Sequence, residues 1–323
     1  MFVLSAPVPA LEDRVTDERM EVYRLSTEAG SDEDAIQTAS LAASRAAGWV
    51  VLDGYHFRYG YQRHLKSSGL RTLLIDDYGH AEHYAADLVL NQNICAASSL
   101  YHRRESYTRL LLGTQYALLR REFLPWRGWR RDLPTVARKV LVTLGGADQD
   151  NVTLRSIRGL KRVEGVELKV KVVIGPANPH GQILRQAAAG SNIDLKLLNN
   201  VTDMPRLMGW ADVALTGGGT TCWELAFMGL PSVVVILAEN QAGIAAALDH
   251  AGIALSMGWH HGTSEAGLAK AVVDLLSSRD RRERMSRTGQ ELVDGGGAGR
   301  VVEVLQANFM APYVRDANPI AGQ

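Results

Sequence analysis

The chain has little cysteine: two in 323 residues, Cys95 and Cys222, far apart, with no CxxC and no histidine at metal-ligand spacing. That excludes a disulfide framework and a cysteine-held metal, and it is the usage of a reduced, cytoplasmic chain. Charge of one sign is also lacking. Lys+Arg and Asp+Glu number 35 each, a formal net charge of zero, whereas a nucleic-acid groove leaves a basic excess. Nucleic acid is therefore not expected as a partner, and the one basic run, "RGWRRDLPTVARK" (127–139), reads as a solvated linker. No apolar run is long enough to span a bilayer. The opening "MFVLSAPVPALEDR" lacks the basic n-region of a signal peptide and reads as a strand at the first residues. Neither glycine-rich loop after a strand carries the lysine of a P-loop or the GxGxxG pattern, which disfavours ATPase and dinucleotide dehydrogenase chemistry.

Apolar and β-branched residues are plentiful, with a hydrophobic fraction of 46%. They recur in short runs: "WVVLDGY" (49–55), "TLLIDDY" (72–78), "ADLVLNQN" (86–93) and "RLLLG" (109–113). A second series follows at 139–146, 168–175, 193–198, 211–219, 231–237 and 252–258. Continuous rather than alternating runs are those of strands buried on both faces of a parallel sheet. Helical periods lie between many of them, and strand–helix alternation means α/β doubly wound architecture. The series breaks once, at "FLPWRGWRRDLPTVAR" (123–138). The expectation is two Rossmann-like domains facing a cleft, 1–125 and 138–323, joined by a linker at 126–137. The end of the chain from Thr263 to about Met310 reads as helical, interrupted by "DGGGAG" (294–299) and able to cross back to the first domain.

In open parallel sheets ligands sit beyond the carboxyl ends of the strands. Gly145 and Gly146 stand at one such end, followed by Asp148 and Asn151 as candidate caps; Gly217, Gly218 and Gly219 stand at another, with Thr220 and Thr221 opening a helix. Amides at a helix start bind phosphate, and glycine lets phosphate oxygens approach the main chain. A Gly-Gly pair after a strand is equally a tight turn, but two such loops in one domain favour a diphosphate ligand. Glu224 follows Thr221 at capping-box spacing; as a functional residue it accepts bonds from ribose hydroxyls. Asn240 and Gln241 in "AENQ" suit base, ribose or sugar hydroxyls, with a helix cap as the alternative for Asn240. In the first domain Asp53, Tyr55, His56, Asp76, Asp77, Tyr78, His80, His83, Asn91 and Asn93 gather at strand ends. Adjacent Asp76 and Asp77 should point to opposite sides. His56 and His83 are candidate general bases. A metal held by His80, His83 and Asp77 is conceivable but not adopted: no metal and no cofactor is expected.

The motifs "VVLDGYHF", "LLIDDYGHAEHYAADLVLNQN", "LLLGTQYALLRREF", "VLVTLGGADQDN", "ADVALTGGGTTCWELAFMGLPSVVVILAENQ" and "DGGGAGRVV" occur in this order. Together they resemble the UDP-2,4-diacetamido-2,4,6-trideoxy-β-L-altropyranose hydrolase family of pseudaminic acid biosynthesis, itself similar to the GT-B glycosyltransferase that makes lipid II. The resemblance implies a GT-B fold and a UDP-sugar substrate. Gly145, Gly146 and Gly217 to Thr221 would hold the diphosphate, Glu224 the ribose, and Asn240 and Gln241 the sugar or phosphate. Tyr55 would act on the sugar side with Asn240. The implied reaction is attack of water at the anomeric carbon with release of UDP. Family members open with a strand, a Gly-x-Gly-His loop and a helix, which have no counterpart ahead of "FVLSAPVPALEDRV", so the family's general-base histidine is not carried over. Low or no hydrolysis with retained UDP binding is expected, since a general base is typically worth ~10²–10⁴-fold. The sheet edge left open would favour a homodimer. The alternatives are a GT-B glycosyltransferase and a catalytically silent UDP-sugar binder.

Overall fold

Each apolar run named above forms a strand in the computed structural model, which describes residues 1–5, 9–189 and 191–309. The strands are β1 (Phe2–Leu4), β2 (Val22–Arg24), β3 (Val50–Asp53), β4 (Thr72–Ile75), β5 (Leu88–Asn91), β6 (Arg109–Leu112), β7 (Lys139–Thr143), β8 (Lys169–Ile174), β9 (Asp194–Asn199), β10 (Val213–Gly217), β11 (Ser232–Ile236) and β12 (Ala254–Trp259). Between them run α1 (Pro9–Asp17), α2 (Asp32–Ser44), α3 (Tyr59–Ser67), α4 (Val152–Leu160), α5 (Gly181–Ala189), α6 (Met204–Trp210), α7 (Thr221–Phe227) and α8 (Ala242–His250). The chain then continues through α9 (Glu265–Ser277), α10 (Arg279–Leu292) and α11 (Gly297–Phe309), with the expected break at the glycines between the last two. Positions 310–323 of the expected second domain lie outside the described residues.

The chain divides into two compact units. The first takes residues up to Gln92, then Ala96–Tyr116, and 299–309; the second takes Asn93–Cys95 and Ala117–Ala298. In the first, β1 and β2 pair in parallel as a sheet of their own, and β3-β4-β5-β6 form a second parallel sheet in that order. Its core gathers Leu52, Leu65, Leu74, Val89, Tyr84 and Tyr101. The return of the chain is anchored there: Trp49 Nε1 donates to Leu305 O at 3.2 Å, and Arg300 Nη1 to Gln115 O at 2.8 Å.

In the second unit the strand order is β12-β11-β10-β7-β8-β9, all parallel. Val140, Val142, Leu215, Val233 and Val235 turn to one face, where α4 and α9 pack through Ile157, Val272 and Leu275. Leu141, Ala214, Val234 and Ile236 turn to the other, under α6, α7 and α8 through Met208, Trp223 and Ala245. Both faces are covered, which is why these strands read as unbroken apolar runs.

The stretch expected as a solvated linker is instead packed into the second unit. Phe123 is fully buried, and the Trp126 ring lies so close to Gly209 that a Cβ there would meet it at 3.3 Å. Arg131 donates to the carbonyls of Met208, Ala211 and Met228 at 2.8, 2.6 and 3.0 Å. It thereby satisfies carbonyls left open at the ends of α6 and α7. Buried Arg282 does the same for Leu275, Leu276 and Pro134. Within the basic run Arg131 is spent on main-chain carbonyls, while Arg127, Arg130 and Arg138 stay exposed.

Candidate functional site

In a doubly wound sheet the crevice lies where the strand order reverses, beyond the carboxyl ends of the two strands concerned. Here these are β7 and β10, paired with Thr143 opposite Thr216. The two glycine-rich loops are the continuations of those two strands.

After β7, Gly145 takes φ +85°, a left-handed value that favours glycine. A Cβ on Gly145 or Gly146 would meet nothing within 4 Å, so one side of this loop is open. Its other side is closed by Gly175 at the end of β8, where a Cβ would fall 2.3 Å from Gly146 O. Asp148, itself at φ +44°, folds its carboxylate back onto the start of α4. Oδ1 accepts from Val152 N at 2.8 Å and Oδ2 from Thr153 N at 2.9 Å, while Asn151 Oδ1 accepts from Leu154 N at 3.3 Å. Both candidate caps are caps, and the first turn of α4 is already occupied by a carboxylate.

The loop after β10 differs. Helix α7 starts at Thr221 with no side-chain cap. The amides of Cys222 and Trp223 turn back onto Gly219 O and Thr220 O at 3.0 Å, and Glu224 lies in the first turn. The three glycines divide by role. A Cβ on Gly217 would fall 2.8 Å from Leu237 Cδ1, and one on Gly218 would fall 3.1 Å from Gln241 Cβ and 3.2 Å from its carbonyl oxygen. These two are glycine because the segment after β11 presses on them. Gly219 faces open space, with Gln241 Nε2 the nearest atom at 3.9 Å.

Gln241 straps the loop in place. Its Oε1 accepts from Gly218 N and from Leu237 N, both at 3.0 Å. Asn240 is half-buried one position earlier, in the 3₁₀ turn Glu239–Gln241 at the carboxyl end of β11. The capping box expected between Thr221 and Glu224 is not formed. The cap position falls on Thr220, whose helical φ −58° and ψ −23° take it out of the extended geometry a capping box needs. The Glu224 side chain, 11% exposed, is gripped instead by Arg120, with Nε 2.6 Å from Oε1 and Nη2 3.0 Å from Oε2. Burial pushes the Glu224 carboxyl up, and Arg120 offsets part of that. Arg120 was not singled out in the sequence: it stands in the motif "LLLGTQYALLRREF", but its partner lies 104 positions further on.

Tyr55 belongs to the first unit, just beyond β3, where its OH donates to Asp77 Oδ2 at 2.6 Å. Its ring lies 5.3 Å from Tyr78 and 5.5 Å from His80. Burial and the neighbouring Asp77 raise the Asp53 carboxyl. Asp76 and Asp77 do part company: Asp76 is buried, accepting from Tyr84 OH at 2.6 Å and from the amides of Tyr78 and Gly79 at 2.8 and 2.9 Å. His80 lies 3.1 Å from Asp76, and His83 3.1 Å from Glu105. The His56 ring lies tilted against Phe57, 4.1 Å between ring centres. Among the described residues no three His, Cys, Asp or Glu side chains converge as metal ligands, so His80, His83 and Asp77 do not form such a set. No helix among the described residues is long and apolar enough to cross a membrane.

Comparison with known proteins bears on this arrangement directly. The MurG of Acinetobacter baumannii superposes with a TM-score of 0.64, covering 94% of this chain and 90% of its own, at 15% identity. The fold is GT-B. Residues 139–295, which carry both glycine-rich loops, Glu224, Asn240 and Gln241, match the Glycosyltransferase family 28 C-terminal domain. The spore coat polysaccharide biosynthesis protein SpsG of Bacillus subtilis is 29% identical over 202 residues, 62% of this chain and 58% of its own. The pseudaminic acid cytidylyltransferase and UDP-2,4-diacetamido-2,4,6-trideoxy-beta-L-altropyranose hydrolase of Helicobacter pylori is 26% identical over 179 residues, 55% of this chain and 31% of its own. The matches thus span well under two thirds of the length of these curated relatives.

Proposed function

We propose that the second unit binds a UDP-sugar beyond the carboxyl ends of β7, β10 and β11, and that the protein cleaves the anomeric C–O bond with water, releasing UDP. The observation that carries this reading is the contrast between the two helix starts. That of α4 is closed by Asp148, whereas α7 begins uncapped beside Gly219, in a sheet whose order reverses between β7 and β10. Main-chain amides with a helix dipole behind them stabilise the negative charge that gathers on a departing diphosphate. Gly145, Gly146, Gly219, Thr220 and Thr221 take the diphosphate in this reading, Glu224 the ribose, and Gln241 holds the loop that presents Gly219. Asn240 and Tyr55 act on the sugar side, as the hydrolase resemblance implies. A deoxy-diacetamido sugar is the substrate that resemblance points to.

Transfer of the sugar to an acceptor is the second reading, favoured by the match of residues 139–295 to a glycosyltransferase domain. One assay separates the two. The protein is incubated with UDP-2,4-diacetamido-2,4,6-trideoxy-β-L-altropyranose in ¹⁸O-water, and UDP and the free sugar are followed by mass spectrometry. UDP release without acceptor, with label in the sugar alone, supports hydrolysis. UDP release only after an acceptor is added supports transfer, and label in UDP overturns cleavage at the anomeric carbon.

A further inference from the structure

Arg120 stands in the motif "LLLGTQYALLRREF" with no role read from it, and it makes a two-pronged contact with a buried carboxylate of the candidate site. We propose that Arg120 is a positioning residue of the nucleotide site: it fixes the plane of the Glu224 carboxylate so that one of the remaining lone pairs accepts the ribose 2′-hydroxyl of a ribonucleoside diphosphate. The proposal rests on the UDP-sugar reading above and adds the group that makes it selective for ribose.

A guanidinium fork takes one lone pair from each carboxylate oxygen and fixes the carboxylate plane. An ionised carboxylate has about four acceptor positions, so one on each oxygen remains, and these two point apart because the fork has taken the parallel pair. Either of them suits a single ribose hydroxyl. Glu224 sits on the first turn of α7, and the start of that helix is the proposed diphosphate site, so ribose and diphosphate fall on one short stretch of chain. Only the ionised form keeps both oxygens as acceptors for the guanidinium fork and the hydroxyl, because a protonated carboxyl must spend one oxygen as a donor. Burial works against ionisation, Arg120 works for it, and Glu122, 3.2 Å from Arg120 Nη1, works against it. The Cys222 thiol on the same helix is pushed up to about 12, chiefly by burial and also by Glu224, and stays neutral.

The test is calorimetric titration of UDP and 2′-deoxy-UDP into wild type, Arg120→Met, Arg120→Lys and Glu224→Gln, from about pH 8 to about pH 5. Wild type is expected to prefer UDP by about tenfold or more, the worth of a hydrogen bond to a charged group. Arg120→Met should lose that preference. Without the cation, burial raises the Glu224 carboxyl further, so UDP affinity should also fall as pH is lowered, over a range where wild type is flat. Affinity for 2′-deoxy-UDP should stay constant throughout, and Arg120→Lys should restore part of the preference at the upper pH. If Arg120→Met keeps the wild-type ratio at every pH, or weakens both nucleotides equally, the positioning role is overturned while UDP binding stands. If wild type binds neither nucleotide, the UDP-sugar reading itself falls.

Discussion

Replacing Gly219 and Gly218 separately by alanine distinguishes a glycine kept for a ligand from one kept for the fold. The Gly219 backbone lies outside the left-handed region, and the added Cβ meets nothing nearer than Gln241 Nε2 at 3.9 Å. Folding stability should therefore change by no more than about 0.5 kcal/mol. The methyl group would stand where a phosphate oxygen must reach the main chain at the start of α7. Losing one charge-assisted bond there, about 1.5–3 kcal/mol, raises the Kd for UDP by about 10- to 150-fold. Gly218→Ala is the converse. Its Cβ falls 3.1 Å from Gln241 Cβ and 3.2 Å from the Gln241 carbonyl, an overpacking that costs about 1–3 kcal/mol. The melting temperature should drop by roughly 2–4 °C per kcal/mol. Calorimetry with UDP and thermal melts on both variants give the four numbers needed. The reasoning fails if Gly219→Ala binds UDP like wild type, or if the two variants lower the melting temperature equally.

Asp148→Ala removes both acceptors from the start of α4 and should cost about 1–2 kcal/mol of stability in urea unfolding. UDP affinity should stay within threefold of wild type, roughly the scatter of a site not touched; a larger loss would place the diphosphate at α4 instead of α7. Gln241→Ala frees the amides of Gly218 and Leu237. Hydrogen exchange at those two amides should speed up and UDP affinity should fall, and unchanged exchange would remove the strap from the account. For Asp76, burial pushes the carboxyl up, but His80, Tyr84 and the Gly79 amide outweigh it and hold it at about 2, below its ordinary 3.8. A depressed carboxyl contributes stability above its unfolded value that is lost as pH falls through the folded one. About 2 kcal/mol should therefore disappear between roughly pH 4 and pH 2. Asp76→Asn should flatten that limb of the stability curve, and a curve of unchanged slope would refute the assignment.

What could be read from the sequence was what neighbours in the chain decide. The runs at 139–146 and 211–219 announce strands because β-branched residues buried on both faces leave no polar alternation, and the glycines behind them mark the strand ends. The cap on α4 was legible for the same reason, since Asp148 and Asn151 act within five positions. The pairing of β1 with β2, the arginine staples of Arg131 and Arg282, and the grip of Arg120 on Glu224 each join positions with no local signature. The glycine triplet shows the limit most plainly. Composition says that three residues need room, but only packing tells that Leu237 and Gln241 fill it at Gly217 and Gly218 while Gly219 stays open. The capping box failed for a related reason. The spacing of Thr221 and Glu224 fits the box, but the cap lies one residue earlier and the carboxylate has a stronger partner.

The path of the chain has a consequence for anyone who wishes to take the protein apart. Residues 299–309 belong to the first unit, and the body of the second unit, Ala117–Ala298, is threaded between two pieces of it. In covalent terms the second unit is a long insertion in a loop of its host. A single cut near residue 117 would leave the first half without the helix that Trp49 and Gln115 hold. It would also leave the second half trailing that helix with its apolar side uncovered. The excision that respects the fold removes 117–298 as one piece and joins Tyr116 directly to Gly299. Shuffling of sugar specificity by recombination would have to observe the same two junctions.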